Sequence, residues 1–123
     1  MIKIAFFEDH PIVAKSLETV FKADSRFSVQ FVASTKNDLI QLLDVKNDID
    51  VLVLDFLAAD VLGIELFEYV SKLFPQINMI AFTSISSIVL VENMLANGVK
   101  GYVNKKQPIE DLFDAILDRK SVV

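Results

Sequence analysis

Short apolar runs alternate along the chain with segments whose apolar residues recur at helical spacing. The runs predict five β-strands, at residues 2–8, 27–33, 51–54, 78–82 and about 101–103. The helical spacing predicts five helices, at 11–23, after a cap at Ser34 or Thr35, at roughly 63–73, at 87–97 and after 107–108. Such alternation is typical of repeated βα units, which form a parallel sheet covered by helices.

Five βα units fit a flavodoxin-like, doubly wound α/β fold. We expect a five-stranded parallel sheet in the order 2-1-3-4-5 within a three-layer α/β/α arrangement, with the alternating run 27–33 at an edge. An apolar stripe should turn each helix toward the sheet. The expected stripes include Ile12, Val13, Leu17, Val20 and Phe21, then Leu39, Ile40, Leu42 and Leu43, then Leu66, Phe67, Val70 and Leu73, and finally Ile109, Leu112, Phe113, Ile116 and Leu117.

Polar side chains stand at the ends of four predicted strands: Glu8 and Asp9, Asp55, Thr83, and Lys105. Ligands bind outside the carboxyl ends of the strands in such sheets, so we expect these residues to share one site. Crowded carboxylates need a cation between them, and oxygen donors favour Mg²⁺. With an ammonium and a hydroxyl beside them, the set suits phosphoryl transfer, and an aspartate can itself accept the phosphoryl group.

Composition excludes several other kinds of function. The 123 residues suit one domain, which we expect to span 1–123. Without cysteine, and with His10 as the one histidine, the chain cannot form a disulfide framework or a zinc cluster. We expect His10 to cap the first helix beside the site, without a catalytic role. The net charge of -5 argues against direct nucleic-acid binding. With neither a membrane span nor a signal-peptide pattern, we expect a cytoplasmic protein.

The ordered set of motifs resembles the receiver domain of two-component response regulators over essentially the whole chain. Glu8-Asp9-His10-Pro11 is similar to the acidic pair and His-Pro of the subfamily that carries a LuxR-type helix-turn-helix output domain. The run 51–55 is similar to the phospho-acceptor strand, 63–66 to the segment after it, and 98–105 to the final motif.

This resemblance implies a CheY-like fold and phosphorylation of Asp55 by a sensor histidine kinase. The implied Mg²⁺ ligands are Glu8, Asp9, Asp55 and the backbone oxygen of Leu57, the implied phosphoryl contacts are Lys105 and Thr83, and the implied aromatic switch is Tyr102. A receiver is not an ordinary enzyme, since it performs at most Mg²⁺-dependent self-phosphorylation and slow autodephosphorylation. DNA would be contacted through a separate output domain that controls transcription.

Two segments depart from the family pattern. Relatives usually carry a proline at the position of Ala59 and an acidic residue at that of Leu62. In the fourth helix, we expect Val91 and Leu95, with Ile88 on the same stripe, to pack inward. We then expect Val89, Leu90 and Met94 to lie near the surface. These form either a contact patch, for a homodimer or an output domain at the face of the fourth helix, fifth strand and fifth helix, or a stripe tucked under a neighbouring loop.

Other functions are weighed against the receiver hypothesis. A phosphatase of the haloacid-dehalogenase type needs a second aspartate two residues after Asp55, where this chain has Leu57. A flavodoxin or a cobalamin carrier needs a different loop after the first strand from Glu8-Asp9-His10-Pro11. A stand-alone or non-phosphorylated receiver-like interaction module remains open.

Overall fold

The computed structural model describes residues 1–56, 63–84 and 87–118. The strands are β1 (Ile2–Phe7), β2 (Phe27–Ala33), β3 (Val51–Leu54), β4 (Asn78–Thr83) and β5 (Gly101–Asn104). The helices are α1 (Pro11–Lys22), α2 (Lys36–Val45), α3 (Gly63–Leu73), α4 (Ile88–Ala96) and α5 (Ile109–Leu117). Within these described ranges, no helix is long and apolar enough to cross a membrane.

The five strands form one parallel sheet in the order β2-β1-β3-β4-β5. This order confirms the predicted doubly wound fold and places β2 at an edge. Because β1 pairs with β2 on one side and with β3 on the other, the chain adds strands first toward one edge of the sheet and then toward the other. The strand order therefore reverses between β1 and β3. Ligand sites of such folds lie at the carboxyl ends of these two strands.

Helices cover both faces of the sheet. One core cluster joins the sheet to α2, α3 and α4 and includes Leu66, while a second joins it to α1 and α5 and includes Phe21 and Ile116. The central strand β3 is buried along its whole length, with no residue of Val51–Leu54 more than 1% exposed. Burial on both faces explains why this strand is a continuous apolar run rather than an alternating one.

Local capping explains where two of the helices begin and where one ends. The Thr35 side chain accepts a hydrogen bond from the Asp38 backbone at 3.1 Å and so caps α2, as expected. The Ser87 side chain does the same for α4. Beyond α4, Gly98 adopts a φ of 106°, the left-handed conformation that the Asn97-Gly98 pair predicts.

The predicted inward stripes were wrong at several positions. Ile12 is 82% exposed because it lies about 140° around α1 from the buried Leu17, at 3.6 residues per turn. Leu73, the last residue of α3, is 54% exposed. Exposure of 37–39% is also found at Val20, Ile109 and Leu117.

Candidate functional site

The register of β1 and β3 brings two acidic residues side by side. Phe7 of β1 pairs with Leu54 of β3, so Glu8 and Asp55 each follow a strand at the same level. The Asp55 backbone N–H donates to the Phe7 carbonyl at 3.0 Å, which continues the ladder one step beyond the strands. Both side chains are 1% exposed.

The β4 and β5 strands bring a hydroxyl and an ammonium to the same edge of the sheet. Thr83 pairs with Asn104 at the ends of these strands, and the Lys105 backbone N–H donates to the Thr83 carbonyl at 3.0 Å. Thr83 is fully buried at the end of β4. Lys105 therefore starts one residue beyond the sheet, and its long side chain spans the distance to β1 and β3.

The Lys105 ammonium bridges the two buried carboxylates. Its Nζ lies 2.8 Å from Glu8 Oε1, 3.0 Å from Glu8 Oε2 and 3.0 Å from Asp55 Oδ2. The lysine side chain is only 14% exposed. Burying three charged groups is costly unless they are paired and hydrogen-bonded, and this geometry supplies the pairing.

The surroundings of Lys105 favour its charged form. Burial lowers the pKa of its ammonium, but hydrogen bonds to Glu8 and Asp55 outweigh that effect, so the pKa lies above the ordinary lysine value. The Phe82 ring centroid lies 5.9 Å from Nζ, within the range of cation–π attraction. Sequence reasoning treated Phe82 only as a strand residue.

His10 belongs to the site rather than to the helix cap. It occupies the N-cap position of α1, but its side chain makes no capping hydrogen bond, so the predicted capping role was wrong. Its Nδ1 lies instead 2.7 Å from Glu8 Oε2, 3.2 Å from Asp9 Oδ1 and 3.7 Å from Asp55 Oδ2. The sequence signal for this contact is the two-residue spacing of Glu8 and His10, since side chains two residues apart in extended backbone share a face.

The donor atoms of this edge fit a divalent cation. Glu8, Asp9, His10 and Asp55 each offer one ligand atom, and these atoms lie within 4.8 Å of one another. Carboxylate oxygens are the donors that Mg²⁺ prefers, and the position of the Lys105 ammonium shows that the cluster already attracts positive charge. The backbone oxygen of Leu57, the fourth implied ligand, lies outside the described residues, as do Ala59 and Leu62.

Tyr102 lies on β5, two residues before the end of the strand. It is half-buried, it packs against the core cluster on the α2, α3 and α4 face, and its hydroxyl accepts a hydrogen bond from Asn104 Nδ2 at 3.0 Å. Its expected role as an aromatic switch stays a prediction.

The surface of α4 differs in part from the expectation. Val89 and Leu90 are 74% and 48% exposed, whereas Met94 is 4% exposed and belongs to the core, so its predicted surface position was wrong. The inward side of the helix centres on Met94, and the expected stripe of Val91 and Leu95 is half-buried beside it. Ile88, expected on that stripe, is therefore turned out, with 73% exposure.

A nucleophilic carboxylate next to an ammonium is a suitable acceptor for an electrophilic phosphorus. Asp55 supplies the carboxylate, and Lys105 supplies a positive charge that neutralises developing negative charge on phosphoryl oxygens. Glu8 and Asp9 supply further oxygens for a cation beside the same group. The arrangement can therefore form an acyl phosphate at Asp55.

Comparison with known proteins gives a consistent result. The family model described as "Response regulator receiver domain" matches residues 4–117. Response regulator protein VraR of Staphylococcus aureus is 28% identical over 116 residues, which cover 94% of this chain and 54% of VraR. The probable transcriptional regulatory protein SgaR of Hyphomicrobium methylovorum is 24% identical, with the same coverage. The chain thus spans about half the length of the curated relatives it matches.

A solved structure shares the fold over nearly the whole chain. RcsB from Salmonella enterica serovar Typhimurium, bound to the promoter rprA with the phosphomimetic BeF3-, superposes with a TM-score of 0.88 at 24% identity. The match covers 97% of this chain and 60% of RcsB.

Proposed function

Because the chain belongs to the response regulator receiver domain family, we propose that it is a phosphorylation switch with Asp55 as the phosphoacceptor. The observation that carries this proposal is the ion-pair bridge from Lys105 to Glu8 and Asp55 at the ends of β1 and β3. A nucleophile, a counter-charge and a set of cation ligands thereby meet at the edge where doubly wound sheets bind ligands.

The proposed reaction transfers a phosphoryl group from a phosphohistidine of a sensor histidine kinase. An Asp55 oxygen attacks phosphorus, the phosphorus–nitrogen bond breaks, and the leaving imidazole retains the bonding electron pair and takes a proton from solvent water. The product is an acyl phosphate on Asp55 and a neutral histidine on the kinase. Transfer of this kind depends mainly on positioning and charge neutralisation.

Lys105 has to change partners during this reaction. Its ammonium lies 3.0 Å from Asp55 Oδ2, and Asp55 is 1% exposed, so we expect the ammonium to move when a phosphoryl group is added to this carboxylate. Its new partners are the phosphoryl oxygens, which keep the positive charge paired. The Thr83 hydroxyl, at the end of the neighbouring strand, donates a hydrogen bond to the same group.

Mg²⁺ is the proposed cofactor, held by Glu8, Asp9 and Asp55 with the backbone oxygen of Leu57. When bound, it neutralises charge shared between the carboxylates and the phosphoryl oxygens. The pairing of β1 with β3 places Glu8 beside Asp55 at the sheet edge, where both carboxylates could contact the same ion.

The proposed output is a change in packing around β4 and β5. Thr83 moves toward the phosphoryl group, and the Tyr102 ring, which is half-buried, turns into the space that this movement opens. A small charge change at Asp55 thereby biases a packing element that has two arrangements. The altered surface comprises α4, β5 and α5.

The proposed partners are a sensor histidine kinase, a second copy of the chain through the α4, β5 and α5 face, and a separate DNA-binding domain. Two observations support control of transcription: SgaR, of which the match covers about half, is described as a probable transcriptional regulatory protein, and RcsB was solved on a promoter. A cytoplasmic location stays a prediction.

The proposal predicts that a small phosphoryl donor with Mg²⁺ adds one acid-labile phosphate to the chain. Asp55→Asn should lose this modification completely, because an amide is a poor nucleophile and cannot form an acyl phosphate. Intact-protein mass spectrometry before and after acid treatment measures both. Asp48→Asn, at an exposed carboxylate paired with Lys3, is the matched control and should be modified like the parent.

Equal modification of the parent and the Asp55→Asn variant would place the phosphate elsewhere. No modification of the parent under any donor would favour a non-phosphorylated receiver-like interaction module.

A further inference from the structure

The side chain of Asn104 connects the aromatic ring on β5 with the turn that carries Lys105. Its Nδ2 donates a hydrogen bond to the Tyr102 hydroxyl at 3.0 Å, and its Oδ1 accepts one from the Lys106 backbone N–H at 2.9 Å. The second bond fixes the orientation of the amide, because a backbone N–H can only donate and so faces the oxygen. The NH₂ group is thereby directed at the tyrosine.

The turn after β5 is held by several further hydrogen bonds. The Asn104 backbone N–H donates to Gln107 Oε1 at 2.7 Å, and the Gln107 backbone N–H donates to the Asn104 carbonyl at 2.9 Å. Gln107 Nε2 also donates to Asp111 Oδ2 on α5 at 2.9 Å. The turn is therefore a defined support, and the side chain of Asn104 is held by it.

The bond from Asn104 selects one orientation of the Tyr102 ring. The two residues lie two positions apart on β5, so their side chains share a face of the sheet, and both are half-buried. The ring packs against the core cluster on the α2, α3 and α4 face. Apolar packing has no preferred direction, whereas a hydrogen bond does.

Asn104 is also connected to the residue that the proposed reaction moves. It pairs with Thr83 at the end of β4, and the Lys105 backbone N–H donates to the Thr83 carbonyl at 3.0 Å. A shift of Thr83 toward a phosphoryl group would therefore move the backbone of Asn104 through the sheet ladder. Such a movement changes the distance from Asn104 to the Tyr102 hydroxyl.

We infer that Asn104 is a positioning residue, which holds the Tyr102 ring in the orientation of the unphosphorylated chain and thereby opposes phosphorylation of Asp55. The ring can turn only when its bond to Asn104 breaks, so this bond stabilises one of the two arrangements. The inference rests on the proposed function, because it takes Thr83 and Tyr102 to be the moving parts.

Acrylamide quenching of tyrosine fluorescence measures the exposure of this ring without phosphorylation. The chain has two tyrosines and no tryptophan, so Tyr69→Phe leaves Tyr102 as the one tyrosine emitter. In this background, Asn104→Leu keeps the side-chain volume but cannot bond the hydroxyl. We expect its quenching rate constant to fall about twofold, because the released ring turns inward, and one hydrogen bond is enough to shift such a population.

Two further variants separate the hydrogen bond to Tyr102 from a general effect on the turn. Asn104→Asp should restore the parental quenching constant, since a carboxylate accepts both from the Lys106 N–H and from the tyrosine hydroxyl, which can donate as well as accept. Gln107→Met is the matched control, because it removes the bond to Asp111 and leaves the Asn104 amide in place. It should also keep the parental constant.

Phosphorylation by a small donor gives the second measurement. We expect Asn104→Leu to be phosphorylated about threefold faster than the parent, on the scale of one lost hydrogen bond. The same substitution should have no effect in a Tyr102→Phe background, because a ring without a hydroxyl has no bond to lose.

Three results would overturn the inference and leave the proposed function intact. These are a parental or higher quenching constant in Asn104→Leu, equal changes in Asn104→Leu and Gln107→Met, and an acceleration that persists in the Tyr102→Phe background. If the parent cannot be phosphorylated at all, the inference and the proposed function both fail.

Discussion

Lys105 holds together two carboxylates that repel each other at the ends of β1 and β3. Glu8 and Asp55 are both 1% exposed, so their mutual repulsion is only weakly screened by water. The ammonium contacts both, and the same ammonium must turn to a phosphoryl group in the proposed reaction. One residue therefore couples the stability of the unphosphorylated site to its chemistry.

Replacing this lysine should destabilise the domain when divalent ions are removed. Lys105→Met keeps most of the side-chain volume but leaves two buried carboxylates without their counter-charge, at a cost of about 3 kcal/mol in free energy of unfolding. Urea unfolding followed by circular dichroism in the presence of a chelator measures the loss. Lys3→Met is the matched control, since its partner Asp48 is 88% exposed, and it should destabilise the domain much less than Lys105→Met.

The difference in unfolding free energy between the parent and Lys105→Met should depend on pH. The pKa of Lys105 is raised in the folded state, so its contribution is fully present below the ordinary value of 10.5 and is lost as pH rises through the folded-state pKa. The stability gap between parent and Lys105→Met should thus be constant near neutral pH and shrink above 10.5. Equal losses in the two lysine variants would contradict the bridging role.

At the scale of elements, the start of α3 packs tightly against the residue after Asp55. A Cβ on Gly63 would lie 2.6 Å from Phe56 Cα, too close for any side chain unless the backbone moves. Gly63→Ala should therefore displace Phe56 and, through it, Asp55. We expect a loss of 1 kcal/mol or more in unfolding free energy, on the scale of overpacking, together with slower phosphorylation by a small donor.

Gly98→Ala is a control for the effect of an added methyl group. Its φ of 106° makes alanine strained by about 1 kcal/mol, but among the described residues its Cβ would meet Phe67 Cζ alone, at an ordinary 3.5 Å. This variant should lose stability and keep the parental phosphorylation rate while folded. If both variants phosphorylate at the parental rate, Gly63 does not position Asp55.

The first turn of α4 carries the exposed apolar patch, formed by Ile88, Val89 and Leu90. If phosphorylation brings two copies together there, Val89→Glu should weaken phosphorylation-linked association at least about tenfold, because a carboxylate cannot be buried unpaired. Analytical ultracentrifugation with and without a phosphoryl donor measures it. Val45→Glu is a matched control, since both valines are about equally exposed, at 74% and 77%, and Val45 lies on α2.

Unchanged association of the Val89→Glu protein would exclude the patch as the contact between copies. An output domain would then be the remaining candidate for this surface.

At the scale of the whole molecule, the fold was predictable because its central strands, β1, β3 and β4, are buried on both faces over most of their length. A continuous run such as Val51–Leu54 cannot be mistaken for a surface segment, and its end marks the site. The strand order then placed Glu8, Asp55 and Lys105 together before any contact was known. Strand order and register are properties of the whole sheet, so this part of the site could be deduced.

The predictions of side-chain burial that were wrong depend on packing between elements, which the periodicity of apolar residues does not encode. Ile12 and Met94 are apolar residues at helical spacing, yet one is 82% and the other 4% exposed. Which side of an apolar helix turns inward is decided by its contacts with the sheet and neighbouring helices. His10 lies beside the site as predicted, but its side chain contacts Glu8 instead of capping α1, because the direction of one side chain in the loop after β1 is not encoded in periodicity.

The central claim is that Asp55 becomes an acyl phosphate, and borohydride reduction tests it at the level of the atom. Hydride converts a phosphorylated aspartate into homoserine, which peptide mass spectrometry locates in the sequence. After treatment with a phosphoryl donor and Mg²⁺, we predict homoserine at position 55 in the parent chain. Homoserine at Asp9 or at any other aspartate, with Asp55 unmodified, would contradict the claim that Asp55 is the phosphoacceptor.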